Sequence, residues 1–317
     1  MASFTRFLRS APAGQPPAEP AAALARPRLD LSGPILARAF ETLVAGTEAQ
    51  GGIEQWIDAL KLRSRMFQQA LGCLVDSGAQ GDPALPVDSF KSLCAFMASV
   101  RRRVGPWLEQ PDYDTMVSAL RDLLDGSRDT TSTDARIAAF CSRFPQDRQH
   151  RWVRDLAAEV LHNVDPERYP LMCRWVWDRK ANTGVIREIW FDDNTDNITL
   201  EVPDGYATFL VLREELSQYL TNNGVFRDVI WYVDLLCAKI YADYIAAQGG
   251  VYLRADFSAP GDPMEHTRRL LGLDGVRAGP GGRARTRLKA ISGEAYLIDD
   301  SDTDLPERTP SNRTNRP

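Results

Sequence analysis

The sequence predicts a mainly α-helical protein, a multi-helical two-layer bundle with one β-hairpin and disordered termini. Three observations predict it. Apolar residues repeat at i, i+3, i+4 and i+7 over most of the chain after residue 32, the rhythm of one helix face. One stretch, residues 185–202, turns β-branched and aromatic around a cluster of turn formers. Proline gathers at both ends of the chain, among alanine at the start and among Ser, Thr, Asn and Arg at the finish.

The elements follow in order. Residues 1–32 read as a disordered Ala/Pro-rich segment, because they lack the apolar content to fold. Residues 33–165 read as one helical unit. Within it Ile53, Trp56, Ile57, Leu60, Phe67, Leu71 and Leu74 form one helix stripe. Phe90, Leu93, Cys94, Met97, Val100 and Val104 form a second, with Asp88 as N-cap and Gly105-Pro106 as stop. Three shorter helices follow, through Met116–Leu124, Ile137–Phe144 and Trp152–Val160, and the short loops between them favour antiparallel neighbours.

Residues 166–255 read as a second unit. The hairpin is expected here, Val185–Phe191 and Ile198–Val202 flanking the tip Asp192-Asp-Asn-Thr-Asp-Asn197. A helix from about Tyr206 to Thr221 follows, preceded by Asp204 and closed by Asn222-Asn-Gly224. The next runs from Val225 to Ala247, with Phe226 among its inward residues, and is apolar nearly all round, as a central helix is. Residues 256–304 read as irregular, basic and then acidic, and 305–317 as a disordered tail.

Composition narrows the function classes. The chain has 317 residues, 44% hydrophobic and 26% charged, with a net charge of -5, ordinary for a globular protein and against a general nucleic-acid binder. Five widely spaced cysteines form neither a disulfide framework nor a CxxC clip. Reduced thiols in the cytoplasm are expected. No apolar run of about 18 residues exists to span a membrane, and no secretory signal is read at the N-terminus.

The densest chemistry lies in Arg168-Tyr-Pro-Leu-Met-Cys-Arg-Trp-Val-Trp-Asp-Arg-Lys180 and the following Asn182–Trp190. Trp175, Trp177 and Trp190 alternate there with Arg174, Arg179 and Arg187. Tryptophan and arginine serve polar seams of cores and anchors of interfaces alike. These six residues are the expected partner-binding set. One narrow helix stripe cannot bury both Trp175 and Trp177, so the block is either an inter-layer seam or a docking surface, and Trp177 decides between them.

Other patterns were weighed against blander readings. Glu159-x-x-His162 has the spacing of a bundle metal site, but only three histidines exist. The expectation is no metal and no cofactor, with His162 held at a helix C-terminus by the helix dipole and Asp165. The Asp192–Asn197 cluster lacks the glycine and closing glutamate of a calcium loop. Cys173 has arginine neighbours that lower a thiol pKa, against the reading of a buried inert thiol. Glycine clusters at 272–275 and 279–282 carry no phosphate-loop pattern.

The candidate basic patch is Arg268, Arg269, Arg283, Arg285, Arg287 and Lys289. An acidic stretch, Glu294 to Arg308, follows it, so the two either cancel or leave a surface for phosphate or an acidic partner.

The run Tyr169 to Trp190, with Leu212-Arg-Glu-Glu-Leu216, Asn223-Gly-Val-Phe-Arg-Asp228 and Leu271-Gly-Leu-Asp274, resembles proteobacterial proteins encoded beside sulfur-oxidising, heterodisulfide-reductase-like complexes. The resemblance covers about residues 150–275 and implies an accessory protein serving a cytoplasmic redox complex. These residues form no motif of established role, so it transfers no functional residue.

Three functions are therefore expected to compete. The first is a non-catalytic accessory protein with a protein partner. The second is an enzyme whose pocket gathers Cys173, Arg174, Trp175, Arg187 and His162. The third is nucleic-acid or phosphate binding through Arg268 to Lys289.

Overall fold

Glycines with positive φ, Gly51 and Gly52, release the chain into the helix Ile53–Leu71. The computed structural model describes residues 26–75, 85–191, 198–248, 263–274, 276–278, 284–289 and 295–298. The expected tails at 1–25 and 305–317, the hairpin tip 192–197 and Arg283 lie outside the described residues.

Helices make up most of the described chain. They are α1 (Gly33–Glu48), α2 (Ile53–Leu71), α3 (Val87–Ala95), α4 (Asp112–Leu124), α5 (Thr133–Ser142), α6 (Trp152–Val164), α7 (Val185–Glu188), α8 (Tyr206–Asn222), α9 (Val229–Ala247) and α10 (Pro263–Leu270). None among the described residues is long and apolar enough to cross a membrane. Two of them organise the rest. Helix α6 packs against α2, α4 and α5, and α9 against α1, α7, α8 and α10. One core cluster runs through both groups, so the expected boundary at 165/166 passes through shared packing.

The expected stripes mostly hold. Trp56, Ile57, Leu60, Phe67 and Leu71 of α2 are buried, as are Met116, Leu120, Leu123 and Leu124 of α4. Helix α3 is shorter than expected. It ends at Ala95, and Met97, Val100 and Val104 reach the core from the turns that follow. Asp88 stands in its first turn, and Pro86 is the N-cap. Helix α9 begins at Val229 behind Asp228, whose φ is 58°. Phe226 therefore precedes the helix and is 75% exposed, not inward.

Three expectations fail on tertiary grounds. The Trp/Arg block is not a helix; Pro166 and Pro170 deny it a continuous ladder and it runs as turns. The hairpin expected at 185–202 is not shown: among its described residues, 185–191 and 198–202, no strand forms. Val185–Glu188 is one helical turn that buries Val185, Ile186 and Ile189 together. Ile198–Val202 carries no strand assignment; its backbone is satisfied by side chains. Asn182 donates to Ile198 C=O (3.0 Å) and accepts from Leu200 N–H (3.1 Å), and Trp177 Nε1 donates to Val202 C=O (3.1 Å). The strands stand elsewhere, in the stretch expected to be irregular: β1 (Val276–Ala278), β2 (Ala284–Lys289) and β3 (Ala295–Ile298) form an antiparallel sheet in that order.

The end of the expected N-terminal disordered segment is also structured. Leu31 bridges Trp190, Ser32 N–H donates to Ile189 C=O and Phe191 N–H to Asp30 C=O, both at 2.8 Å.

Candidate functional site

The block folds back on itself. Val176 and Trp177 N–H both donate to Cys173 C=O, at 2.9 and 3.2 Å, making a tight turn. Asp178 and Thr183 bridge, and the chain returns through Gly184 to donate Val185 N–H to Trp175 C=O and Ile186 N–H to Val176 C=O. Gly184 has φ 123°, and a Cβ there would stand 2.7 Å from Val176 O. Only glycine lets the two segments meet this closely.

This fold separates the six expected partner-binding residues. Trp177 is fully buried and hydrogen-bonded, so it is a core seam and no docking anchor. Trp190 is half-buried and tied to the 30–32 segment. Arg187 donates to Ile198 C=O at 3.0 Å, holding the chain between α7 and α8. Arg179 is exposed and pairs with Glu201 at 2.9 Å. Arg174 and Trp175 alone of the six line a cleft.

Arg174 is the hinge of the site. Its backbone N–H donates to Asp155 Oδ1 at 2.9 Å, and its guanidinium reaches the same carboxylate at 2.6 Å. Burial opposes its charge, but Asp155 and Asp178 more than compensate and hold its pKa above the ordinary value. Arg151 pairs with Asp178 alongside. Two clefts open on either side of this cluster, sharing Arg151, Arg174, Asp178 and Ala181.

The larger cleft, of 810 Å³, has an apolar floor that includes Ile137, Val153, Ala158 and Met172. Arg148, Arg151, Arg154 and Lys180 line its sides, with Asp134, Asp147 and Asp204 among them. Asp134 accepts from Tyr206 N–H at 2.8 Å, capping α8 from another helix, and Asp147 caps the turn at Arg148–His150. The smaller cleft, of 370 Å³, places Arg101, Arg102 and Arg269 with Trp175 and Tyr241. Its one local sequence signal is the basic run Arg101-Arg-Arg103. Tyr241 and Arg269 left no local signal, since only the packing of α9 and α10 brings them there.

Cys173 and His162 do not join Arg174 at a cleft. Cys173 is fully buried, and burial, then the charges of Glu159 and Asp155, push its thiol well above the ordinary range. Such a thiol is inert. His162 Nδ1 stands 2.9 Å from Tyr169 C=O and Nε2 stands 3.1 Å from Asp234 Oδ2. Asp165, its expected partner, pairs with Arg168 instead. Glu159 receives Arg63, itself 2% exposed, so the Glu-x-x-His pair is spent on two buried ion pairs. Among the described residues no three His, Cys, Asp or Glu side chains gather as a metal site. The pocket that the enzyme reading requires is therefore not assembled.

Five of the six basic-patch residues are described, Arg283 not among them. Arg268 lies over the Trp56 ring, 4.6 Å from its centroid, and Arg269 pairs with Glu265 at 3.3 Å. Arg285, Arg287 and Lys289 belong to β2, in register with Arg277, Leu297 and Ala295. The five described residues are thus divided between α10 and β2.

No protein-family model, curated protein or solved structure matches this chain.

Proposed function

We propose that this protein is a non-catalytic accessory protein of the cytoplasm that docks a protein partner on the larger cleft. The observation that carries this reading is a cleft lined by buried apolar residues, Val153 and Met172, together with charged ones, Arg148, Arg151 and Lys180 beside Asp134, Asp147 and Asp204. A contact with an apolar centre and a polar margin is the anatomy of a transient interface. The rim selects a partner segment that carries carboxylates beside apolar side chains. The resemblance at residues 150–275 adds a candidate for the partner's class, a sulfur-oxidising redox complex whose cofactors reside on its own subunits.

Co-purification from the native source, followed by identification of the partner by mass spectrometry, tests the reading. Lys180→Glu and Arg148→Glu change exposed rim positions and are expected to weaken a captured partner by about tenfold or more, raising koff. A chain that stays monomeric and alone, or that turns over a small molecule, overturns it. So does a partner captured equally by both variants.

A further inference from the structure

We infer that the smaller cleft is a binding site for a phosphate monoester carried on a planar ring. This rests on the reading of this face as a binding surface, and it concerns a different occupant. The cleft measures 370 Å³, at the lower end of small-molecule pockets, so it admits one ring with its substituent and not an extended chain.

Arginines outnumber carboxylates among the residues that line it. Five, at 101, 102, 151, 174 and 269, stand with two aspartates, while Asp274 and Glu265 pair Arg101 and Arg269 from outside the lining. Both aspartates are already engaged, Asp155 by Arg174 and Asp178 by Arg151. Arg101 is clamped by both oxygens of Asp274, at 2.9 and 2.8 Å. A guanidinium has five N–H donors and a two-point clamp uses two, so the clamp fixes Arg101 and leaves donors for a further anion. Desolvation first, then the charges of Arg101 and Arg269, lower the pKa of Arg102. Arg101, Arg102 and Arg269 line the same cleft, and a phosphate dianion binds such a group through paired N–H···O bonds. Ser99, in the same wall, has a hydroxyl with no hydrogen-bond partner among the described residues.

The cleft also has an aromatic lining. Trp175 and Tyr241, with centroids 5.9 Å apart and planes tilted by 38°, are both half-buried. Tyr241 has its hydroxyl pKa pushed up to about 12, chiefly by burial, so it presents a neutral ring. Two aromatic rings and several arginines lining one cleft match a ligand that is flat at one end and doubly anionic at the other.

Calorimetric titration of the full chain at low salt tests this, with adenosine 5′-monophosphate, phenyl phosphate, inorganic phosphate and adenosine as probes. The two ring phosphates are expected to bind at one site, inorganic phosphate about tenfold more weakly, and adenosine without saturation. Arg102→Gln, at an exposed position, should weaken both ring phosphates by about tenfold. Trp175→Ala should bring adenosine 5′-monophosphate down to the affinity of inorganic phosphate while leaving inorganic phosphate unchanged.

Circular dichroism identifies a variant that fails to fold; Arg269→Gln then takes its place, with the same loss expected. Absence of binding by both ring phosphates to the folded wild type overturns the inference, as does binding indifferent to a folded Arg102→Gln or Arg269→Gln variant. Equal affinity for inorganic and ring phosphates overturns the role of the aromatic wall. Blank titrations with intact partner capture overturn this inference alone. Ring-phosphate binding without any partner overturns the accessory reading alone.

Discussion

Two arginines reach carboxylates one turn apart on the same helix, and their surroundings give them different work. Arg63 of α2 meets Glu159 of α6 with both side chains 2% exposed. Arg174 meets Asp155, four residues earlier on α6, and keeps 23% of its surface exposed at the seam of two clefts. The first pair is sealed by Asn163, Leu271 C=O and the Cys173 thiol. The second borders open space. Identical chemistry is thus structural where water is shut out, and available for binding where a cleft meets it. Burial, not residue type, makes the difference.

Breaking the sealed pair should have the largest effect. Arg63→Met strands Glu159 in the core and is expected to cost about 3–5 kcal/mol in denaturant unfolding. Adding Glu159→Leu should restore much of that, because an apolar replacement removes both desolvation penalties. A single variant as stable as wild type would show that the pair is hydrated and not sealed.

Trp177→Phe should cost about 2–3 kcal/mol, from the lost bond to Val202 C=O and the void left in a full core. A shift in melting temperature close to zero would put Trp177 at the surface and reopen the docking reading.

His162 sharpens the comparison through pH. Burial disfavours its proton, but Asp234 and the Tyr169 carbonyl prevail and raise its pKa above 6.5. The unfolded chain releases this proton more readily. The stabilisation is therefore complete below pH 6.5 and fades as pH rises through the raised value. Stability of wild type relative to His162→Gln should shrink as pH rises above 6.5. A gap that widens with pH would mean a neutral imidazole.

On the open side the effects become small. Arg179→Ala removes an exposed pair with Glu201, and its melting curve should overlay the wild type within about 0.5 kcal/mol. A larger loss would assign that rim a structural role and weaken the division drawn here.

The same contrast explains what could be read in advance. Stripes such as Trp56–Leu71 and Met116–Leu124 were legible because the helical period is local and each stripe needs only some apolar partner. Arg174 and Trp175 were legible as unusual composition. Arg101 and Arg102 left a visible run of charge, whereas Tyr241 and Arg269 became neighbours of Trp175 only when α9 and α10 packed together. The hairpin failed because a β-branched run is equally served by a helical turn. The return through Gly184 supplied Val185 and Ile186 with carbonyl partners at Trp175 and Val176, and no strand was needed.

By itself, then, the sequence determined a mainly helical chain, the central apolar helix α9, and the place where tryptophan and arginine concentrate. These follow from periodicity and composition, which are carried by neighbours along the chain. Tertiary structure decided which tryptophan is core and which lines a cleft, and which arginine is sealed and which borders open space. Those outcomes depend on what lies across the fold, because the cost of burying a charge or an aromatic ring is set by distant partners and by access to water.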